Sequence, residues 1–212
     1  MKGLIWKDLL ILRKSLRTYL LMVLIYAALS LTGTFGGAFV AMLCMMLLIL
    51  PISAFAYDEM ARWDRYAFSL PLGRERVVQA RYGFVLLMAL IAAALGSSLS
   101  VVLSILTKED LMLYLCTMLA ALTIGLLVCA VLLPLCYKLG AERARPWLMI
   151  VTLVPVMALL LGSKLGLVDL SGMESVTPGR LAGVLGVCAA ATLAGLGLSC
   201  RISCRIAAGK EY

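Results

Sequence analysis

The sequence predicts an all-α integral membrane protein with six transmembrane helices, an amphipathic surface helix before the first of them, and both termini in the cytoplasm. Hydrophobic residues make up 64% of the 212 residues and charged residues 14%, whereas a soluble domain is about 45–50% apolar and roughly 25% charged. The charges lie in short segments between long uncharged runs. We expect residues 1–212 to form one transmembrane domain, because no linker-like or low-complexity tract divides them.

Residues 1–17 form the predicted surface helix, because their apolar and basic side chains separate onto two sides at the helical period. Leu and Ile residues share one side, and the opposite side carries Lys2, Lys7, Arg13, Lys14 and Arg17. Asp8 is the one residue that does not fit this pattern. An apolar side opposite a basic one is typical of a helix on the inner membrane surface. A solvated basic leader is the alternative.

Six uncharged runs are long enough to cross a bilayer, because a hydrocarbon core of about 30 Å needs about 20 helical residues. Backbone groups in lipid must pair within their own segment, so these runs are predicted to be helices. The first two spans share 40 uncharged residues, and the glycines of TGTFGG at 32–37 mark the reversal between them. Pro155 predicts a kink in the fifth span. The predicted spans are residues 18–34, 36–57, 82–107, 111–137, 146–163 and 181–200.

The basic residues predict the orientation of these spans. Sixteen of the 19 Lys and Arg residues lie in the N-terminal segment, the 58–81 and 138–145 loops and the C-terminal tail. The connections on the other side carry Lys108, Lys164 and Arg180. Because cytoplasmic loops carry the excess of Lys and Arg, both termini are predicted to be cytoplasmic. The net charge of +8 does not indicate a nucleic-acid partner, since the basic residues form no single patch.

The sequence lacks the residues that several kinds of chemistry require. It has no His and no P-loop motif, and therefore neither the usual general base nor an ATP-hydrolysing site of that type. The predicted spans hold no central charge of the kind that couples transport to protons or ions. The seven Cys residues form no Cys-x-x-Cys pair and are interpreted as small apolar fillers. We therefore expect no enzyme activity, metal or cofactor in this chain itself.

Residues 58–81 form the one crowded polar segment, with five basic and four acidic residues between two apolar runs. Pro71 ends a short helix that continues from the second span, and a new helix after Gly73 leads into the third span. Aromatic residues are interleaved with the charges at Tyr57, Trp63, Tyr66 and Phe68. Exposed Trp, Tyr and Arg are enriched at protein contact surfaces, so the loop is predicted to dock to a partner. An interfacial helix without a partner is the alternative.

The acidic pair at the end of the second span, followed by RWDRYAFSLPLGRERVVQARY, resembles the permease subunits of bacterial ABC-2-type transporters. Among these, the chain is similar to permeases that export phenol-soluble modulins and related amphipathic peptides. The LPLGR run at 70–74 and the ARY triplet at 80–82 carry the likeness, and the opening MKGLIWKDLLILRKSL resembles the surface helix of the family. The spacing agrees along the whole chain, whereas only these two stretches are specific.

The resemblance implies a permease subunit of an ATP-driven exporter in the bacterial cytoplasmic membrane, with an amphipathic or hydrophobic substrate such as a peptide or toxin. It implies a separate ABC ATPase subunit, which binds ATP and Mg²⁺, and a second permease that is identical or a sister subunit. The 58–81 loop would be the coupling loop, and 164–180 would correspond to an outer gate segment. Asp58 and Glu59 would fix the coupling helix at the membrane edge, and the residues implied to contact the ATPase are Asp58, Glu59, Arg62, Trp63, Asp64, Arg65 and Tyr66.

Three other functions are weighed against this one. A secondary carrier would show intramembrane charges or inverted repeats of broken helices, and the sequence shows neither. A membrane-embedded enzyme would need clustered His, Asp or Glu at the membrane face. A scaffold or immunity protein that binds a peptide without pumping it stays open, and co-purification of an ATPase would separate it from a transporter.

Overall fold

The computed structural model of the protein describes residues 2–30, 36–61, 74–108, 110–140, 146–147, 149–150 and 178–208. These residues form five long helices, and no strand occurs among them. The all-α prediction is confirmed for this part of the chain. The helices are α1 (Lys2–Ser30), α2 (Gly36–Met60), α3 (Arg74–Thr107), α4 (Leu111–Leu139) and α5 (Pro178–Ala208).

Four of the described helices are long and apolar enough to cross a membrane. They coincide with the predicted second, third, fourth and sixth spans, because uncharged runs of this length satisfy their backbone groups as helices. The predicted fifth span, 146–163, lies outside the described residues apart from 146–147 and 149–150. The apolar stretches are Gly37–Met60, Glu75–Thr107, Leu111–Leu139 and Ala182–Ala208.

Helix α1 contains both the predicted surface helix and most of the predicted first span. The predicted change from a surface helix to a first span, between residues 17 and 18, falls inside α1, which is helical from Lys2 to Ser30. Residues 4–30 contain no Gly and no Pro, so nothing in them favours a helix end. Residues 31–34 of the predicted first span lie outside the described part of the chain.

Helix α3 begins before the predicted third span and extends beyond the hydrocarbon core. It starts at Arg74, which confirms the prediction of a new helix after Gly73. Its 34 residues correspond to about 51 Å at 1.5 Å per residue, whereas the hydrocarbon core is about 30 Å thick. The first turns, where Glu75 and Arg76 are exposed, therefore project past the apolar part of the bundle.

Helices α2 and α4 form the centre of the described bundle. Half of the apolar span of each is buried, compared with 28% for α3 and 11% for α5. A Cβ atom at Gly125 of α4 would collide with the Leu48 side chain of α2, so the glycine permits this close approach. Cys129 of α4 is buried and donates a 3.3 Å hydrogen bond to the Leu48 carbonyl, as expected for a small filler.

Contacts near the helix ends fix the helix directions. Tyr26 in α1 lies beside Phe39 in α2, with ring centroids 6.1 Å apart. Thr107 Oγ1 in α3 lies 3.1 Å from the Tyr114 hydroxyl in α4. The C-terminal part of one helix thus meets the N-terminal part of the next in each case, so α1 and α2 are antiparallel, as are α3 and α4.

Helices α4 and α5 run in the same direction. The Tyr82 hydroxyl, near the start of α3, lies 2.7 Å from Ser199 Oγ and 2.8 Å from Ser203 Oγ, near the end of α5. Ser199 also donates to the Ala130 carbonyl of α4 at 2.5 Å. Since α4 and α5 end at the same end of the bundle, the chain between them, residues 141–177, must connect its opposite ends.

Candidate functional site

The candidate site lies at the end of the bundle where α2 ends and α3 begins. The first turns of α1 meet both of them there. Four charged side chains of these three helices pair with one another, and we call this group the ion cluster. Its members are Lys7, Asp8, Asp58 and Arg81.

Every member of the ion cluster contacts both members of opposite charge. Lys7 Nζ donates to the two carboxylate oxygens of Asp58 at 2.8 and 2.7 Å, and it lies 3.0 Å from Asp8 Oδ1. Arg81 donates a hydrogen bond to Asp58 Oδ2. A second guanidinium nitrogen of Arg81 donates to Asp8 Oδ2 at 3.3 Å. The Lys7–Asp8 contact is an ion pair without hydrogen-bond geometry, because Asp8 Oδ1 has no hydrogen-bond partner among the described residues.

The ion cluster is largely shielded from solvent. The side chains of Asp58, Asp8 and Arg81 are 3, 6 and 7% exposed, whereas that of Lys7 is 21% exposed and forms the edge of the cluster. Removing one partner of a buried ion pair costs about 3–5 kcal/mol, because the other charge is left uncompensated. The two negative and two positive charges of the ion cluster sum to zero, and this neutrality lowers the free-energy cost of burying them.

Aromatic rings extend the ion cluster toward α4. The Arg81 guanidinium carbon lies 5.3 Å from the centre of the Phe55 ring, within the range of a cation–π contact. Phe55 in turn meets Tyr137 of α4 edge to face, with centroids 5.0 Å apart. Both rings are buried. The position of Arg81 is therefore set by carboxylates on one side and by an aromatic ring on the other.

Glu59 follows Asp58 in sequence but contacts a different helix. Its carboxylate lies against Gly140, just past the end of α4, and a Cβ atom at that position would collide with it. Gly140 has a φ of 89°, a conformation that other residues rarely adopt. Its N–H donates to the Cys136 carbonyl at 2.9 Å and caps α4. The two acids thus place the end of α2 against α1 and α3 on one side and against α4 on the other.

The predicted contact residues fall into two groups. Asp58 and Glu59 are described: Asp58 pairs with Lys7 and Arg81, and the Glu59 carboxylate lies against Gly140. Asp58 is buried and paired within the chain, so its contribution is to hold the base of the loop. The remaining predicted residues lie outside the described part of the chain: Arg62, Trp63, Asp64, Arg65 and Tyr66.

Sequence reasoning missed the partners of Asp58. Lys7 and Asp58 are 51 positions apart, and Asp8 and Arg81 are 73 positions apart, so no local spacing connects them. One signal was available: Asp8 is an acid on the apolar side of the first helix, between Leu4 and Leu12 on the helical wheel. Its burial beside Arg81 explains this misfit.

No group of three or more His, Cys, Asp or Glu side chains suited to a metal ion occurs among the described residues. The two carboxylates of the ion cluster instead pair with the cationic side chains of Lys7 and Arg81. The arrangement is therefore suited to holding three helix ends together.

Comparison with known proteins places the chain in a family. A sequence model described as "ABC-2 family transporter protein" matches residues 3–207, nearly the whole chain. No curated protein and no solved structure matches it. Proteins of this family are membrane-embedded transport subunits that work with an ABC ATPase. The chain belongs to the ABC-2 transporter family and is a membrane permease subunit.

Proposed function

We propose that the chain is the permease subunit of an ATP-driven exporter in a bacterial cytoplasmic membrane. A separate ABC ATPase subunit binds ATP and Mg²⁺ and supplies the energy. The 58–81 segment is the coupling loop, and its Arg62, Trp63, Asp64, Arg65 and Tyr66 side chains contact that ATPase. The family membership supports a permease with an ATPase partner, and the alternation of basic loops supports a cytoplasmic position for the loop.

The ion cluster is the observation that carries this proposal. A loop that transmits a conformational change to a membrane domain must be attached rigidly to the helices on either side of it, here the end of α2 and the start of α3. Asp58 lies near the end of α2 and Arg81 in the first turns of α3, and they are bound to each other and to α1. A force on the intervening loop therefore acts on α2 and α3 together and reaches α1 through its ion pairs with Asp58 and Arg81.

The assembly and the substrate follow from the same reasoning. We propose that two permeases, identical or sister subunits, stand side by side above two ATPases. A hydrophobic or amphipathic substrate, such as a peptide or toxin, passes along the apolar surface of the spans. A groove of about 570 Å³ between α1, α2 and α4 supports this substrate class, since its walls are apolar and include the adaptable side chains Met42, Met45 and Met46.

Reversing two charges in the coupling loop tests the proposed contact. The double variant Asp64→Lys/Arg65→Glu keeps the net charge of the chain at +8. The matched control is Lys108→Glu/Asp110→Lys, which reverses an exposed pair at the opposite end of the bundle. The permease is expressed together with an ABC ATPase subunit from the same organism, and both co-purification and ATP-driven transport in proteoliposomes are measured.

We expect the loop variant to lose co-purification and transport by about tenfold or more while it still inserts in the membrane. The control should retain both activities. If the loop variant keeps the ATPase and still transports, the coupling assignment is wrong. If wild-type permease binds no ATPase, the scaffold function takes its place.

A further inference from the structure

The ion cluster divides into two halves, and each half is electrically neutral. Helix α1 contributes Lys7 and Asp8, whose charged groups are 3.0 Å apart. Helices α2 and α3 contribute Asp58 and Arg81, which are hydrogen bonded to each other. The contacts between the halves are Lys7 with Asp58, at 2.7 and 2.8 Å, and Arg81 with Asp8, at 3.3 Å. Each half therefore retains an internal ion pair when the contacts between the halves are broken.

The ion cluster supplies the buried contact of α1 among the side chains that are described near this end. Among the α1 side chains that the structure describes, Asp8 is the only one that is buried. Trp6 and Leu10, on either side of the charged pair, are 63 and 49% exposed. The described buried core is instead built from α2, α3, α4 and α5. Among the described side chains at this end, the contacts that attach α1 to the other helices are therefore those of the ion cluster.

We propose that the ion cluster is a separable joint, at which α1 leaves and rejoins the α2–α3 unit by exchange of ion-pair partners. An ordinary buried ion pair resists separation because both charges lose their partner. In this cluster Lys7 retains Asp8 and Arg81 retains Asp58, so separation leaves no ion without an opposite charge. Lys7, the most exposed member, gives water a route to the separating groups. The inference rests on the proposed function, in which closure of the ATPases supplies the movement.

Two matched double variants of the ion cluster should have opposite effects on the contact between α1 and the α2–α3 unit. Lys7→Met/Asp8→Asn removes the α1 half and leaves the Asp58–Arg81 pair, so the ion cluster no longer holds α1. Lys7→Met/Asp58→Asn also removes one acid and one base, but it leaves Asp8 and Arg81 as a single pair across the joint. Separation would then leave both of these ions without a partner, so this variant should keep the joint closed.

The joint can be followed by the distance between spin labels on α1 and α3. Gly3 and Arg76 are suitable positions, because both are exposed and a side chain at Gly3 would meet no atom within 4 Å. Labels carried on unnatural amino acids leave the native cysteines unchanged. Distances are measured by pulsed electron paramagnetic resonance in nanodiscs, for the permease alone and for its complex with the ATPase, nucleotide-free and trapped with ATP.

We expect Lys7→Met/Asp8→Asn to shift the label distances to larger values in the permease alone, and Lys7→Met/Asp58→Asn to keep the wild-type distances. In the complex, ATP trapping should lengthen the wild-type distance but not that of Lys7→Met/Asp58→Asn. The latter variant should retain the ATPase and lose transport by about tenfold or more. The proposal of a separable joint would be overturned by identical label distances in the two variants. It would also be overturned if ATP trapping left the wild-type label distance unchanged.

Failure of the proposed function gives a different result. In that case wild-type permease binds no ATPase, and the measurements on the complex cannot be made. The comparison of the two double variants in the permease alone still decides whether the ion cluster separates along the α1 boundary.

Discussion

Replacing Arg81 with methionine removes one cation from the ion cluster at nearly constant side-chain length. Two carboxylates, 3 and 6% exposed, are then left to share the Lys7 ammonium group. Removing one partner of a buried pair costs about 3–5 kcal/mol. Because Lys7 stays within 3.0 Å of both carboxylates, we expect the lower end of that range, about 3 kcal/mol.

A second replacement should recover most of this loss. Arg81→Met/Asp58→Asn leaves the Lys7–Asp8 pair and restores the charge balance. Exchanging both members of a buried pair for neutral groups is often close to neutral in stability. The cation–π contact of Arg81 with Phe55 is absent from both variants, and such contacts contribute about 0.5–2 kcal/mol. We therefore expect the double variant to be more stable than the single one by about 2 kcal/mol.

Thermal unfolding of the purified permease in a mild detergent measures these differences. For a chain of this length, 1 kcal/mol corresponds to about 2–4 °C in the unfolding midpoint, so Arg81→Met should lower it by about 6–12 °C. Arg76→Met is the matched control, because Arg76 is exposed on the same helix, and its effect should stay within about 0.5 kcal/mol. Equal midpoints for the single and double variants would refute charge balance as the reason for the stability of the cluster.

Three further changes test other contacts of the bundle. Gly140→Ala should lower stability by about 1–3 kcal/mol, because the φ of 89° is unfavourable for alanine and its Cβ would meet Glu59; thermal unfolding measures this. Gly125→Ala should cost about 1–3 kcal/mol through overpacking against α2. By the same assay Gly183→Ala should be neutral or stabilising, since no atom lies within 4 Å of its Cβ position. Tyr82→Phe removes a hydroxyl that contacts two serines of α5, and should cost about 1–3 kcal/mol in denaturant unfolding.

The membrane helices could be predicted because their signal is local. An uncharged run of about 20 residues has few folded alternatives in a bilayer, and α2, α4 and the apolar part of α3 follow those runs closely. The start of α3 at Arg74 was also predictable, since Gly73 directly before it is a plausible N-cap residue. The continuity of α1 from Lys2 to Ser30 was not predicted from composition. A change from basic to apolar residues alters the environment of a helix without ending the helix.

The partners in the candidate site could not be predicted in the same way. Asp58 was identified as a residue at the membrane edge, but its ion pairs depend on which helices become neighbours, and spacing in the sequence does not encode that. Arg81 was interpreted as part of a helix start and of a family motif, whereas the structure buries it between two carboxylates and Phe55. Burial of an arginine requires compensating charge, so an arginine that begins an apolar run indicates unseen acids nearby.

Asp8 shows how far that reasoning can be taken. On a helix that lies flat against the membrane surface, an acid among five basic residues would weaken the attraction to anionic lipids. On the helical wheel it would also lie among the apolar residues that face the membrane, where an unpaired carboxylate is unfavourable. In the structure the Asp8 side chain is 6% exposed and pairs with both Arg81 and the adjacent Lys7. By our proposal Lys7 stays beside Asp8 when Arg81 separates from it. An acid and a base in consecutive positions on α1 therefore suit a contact that is made and broken, because each state of the contact leaves the helix neutral at that point.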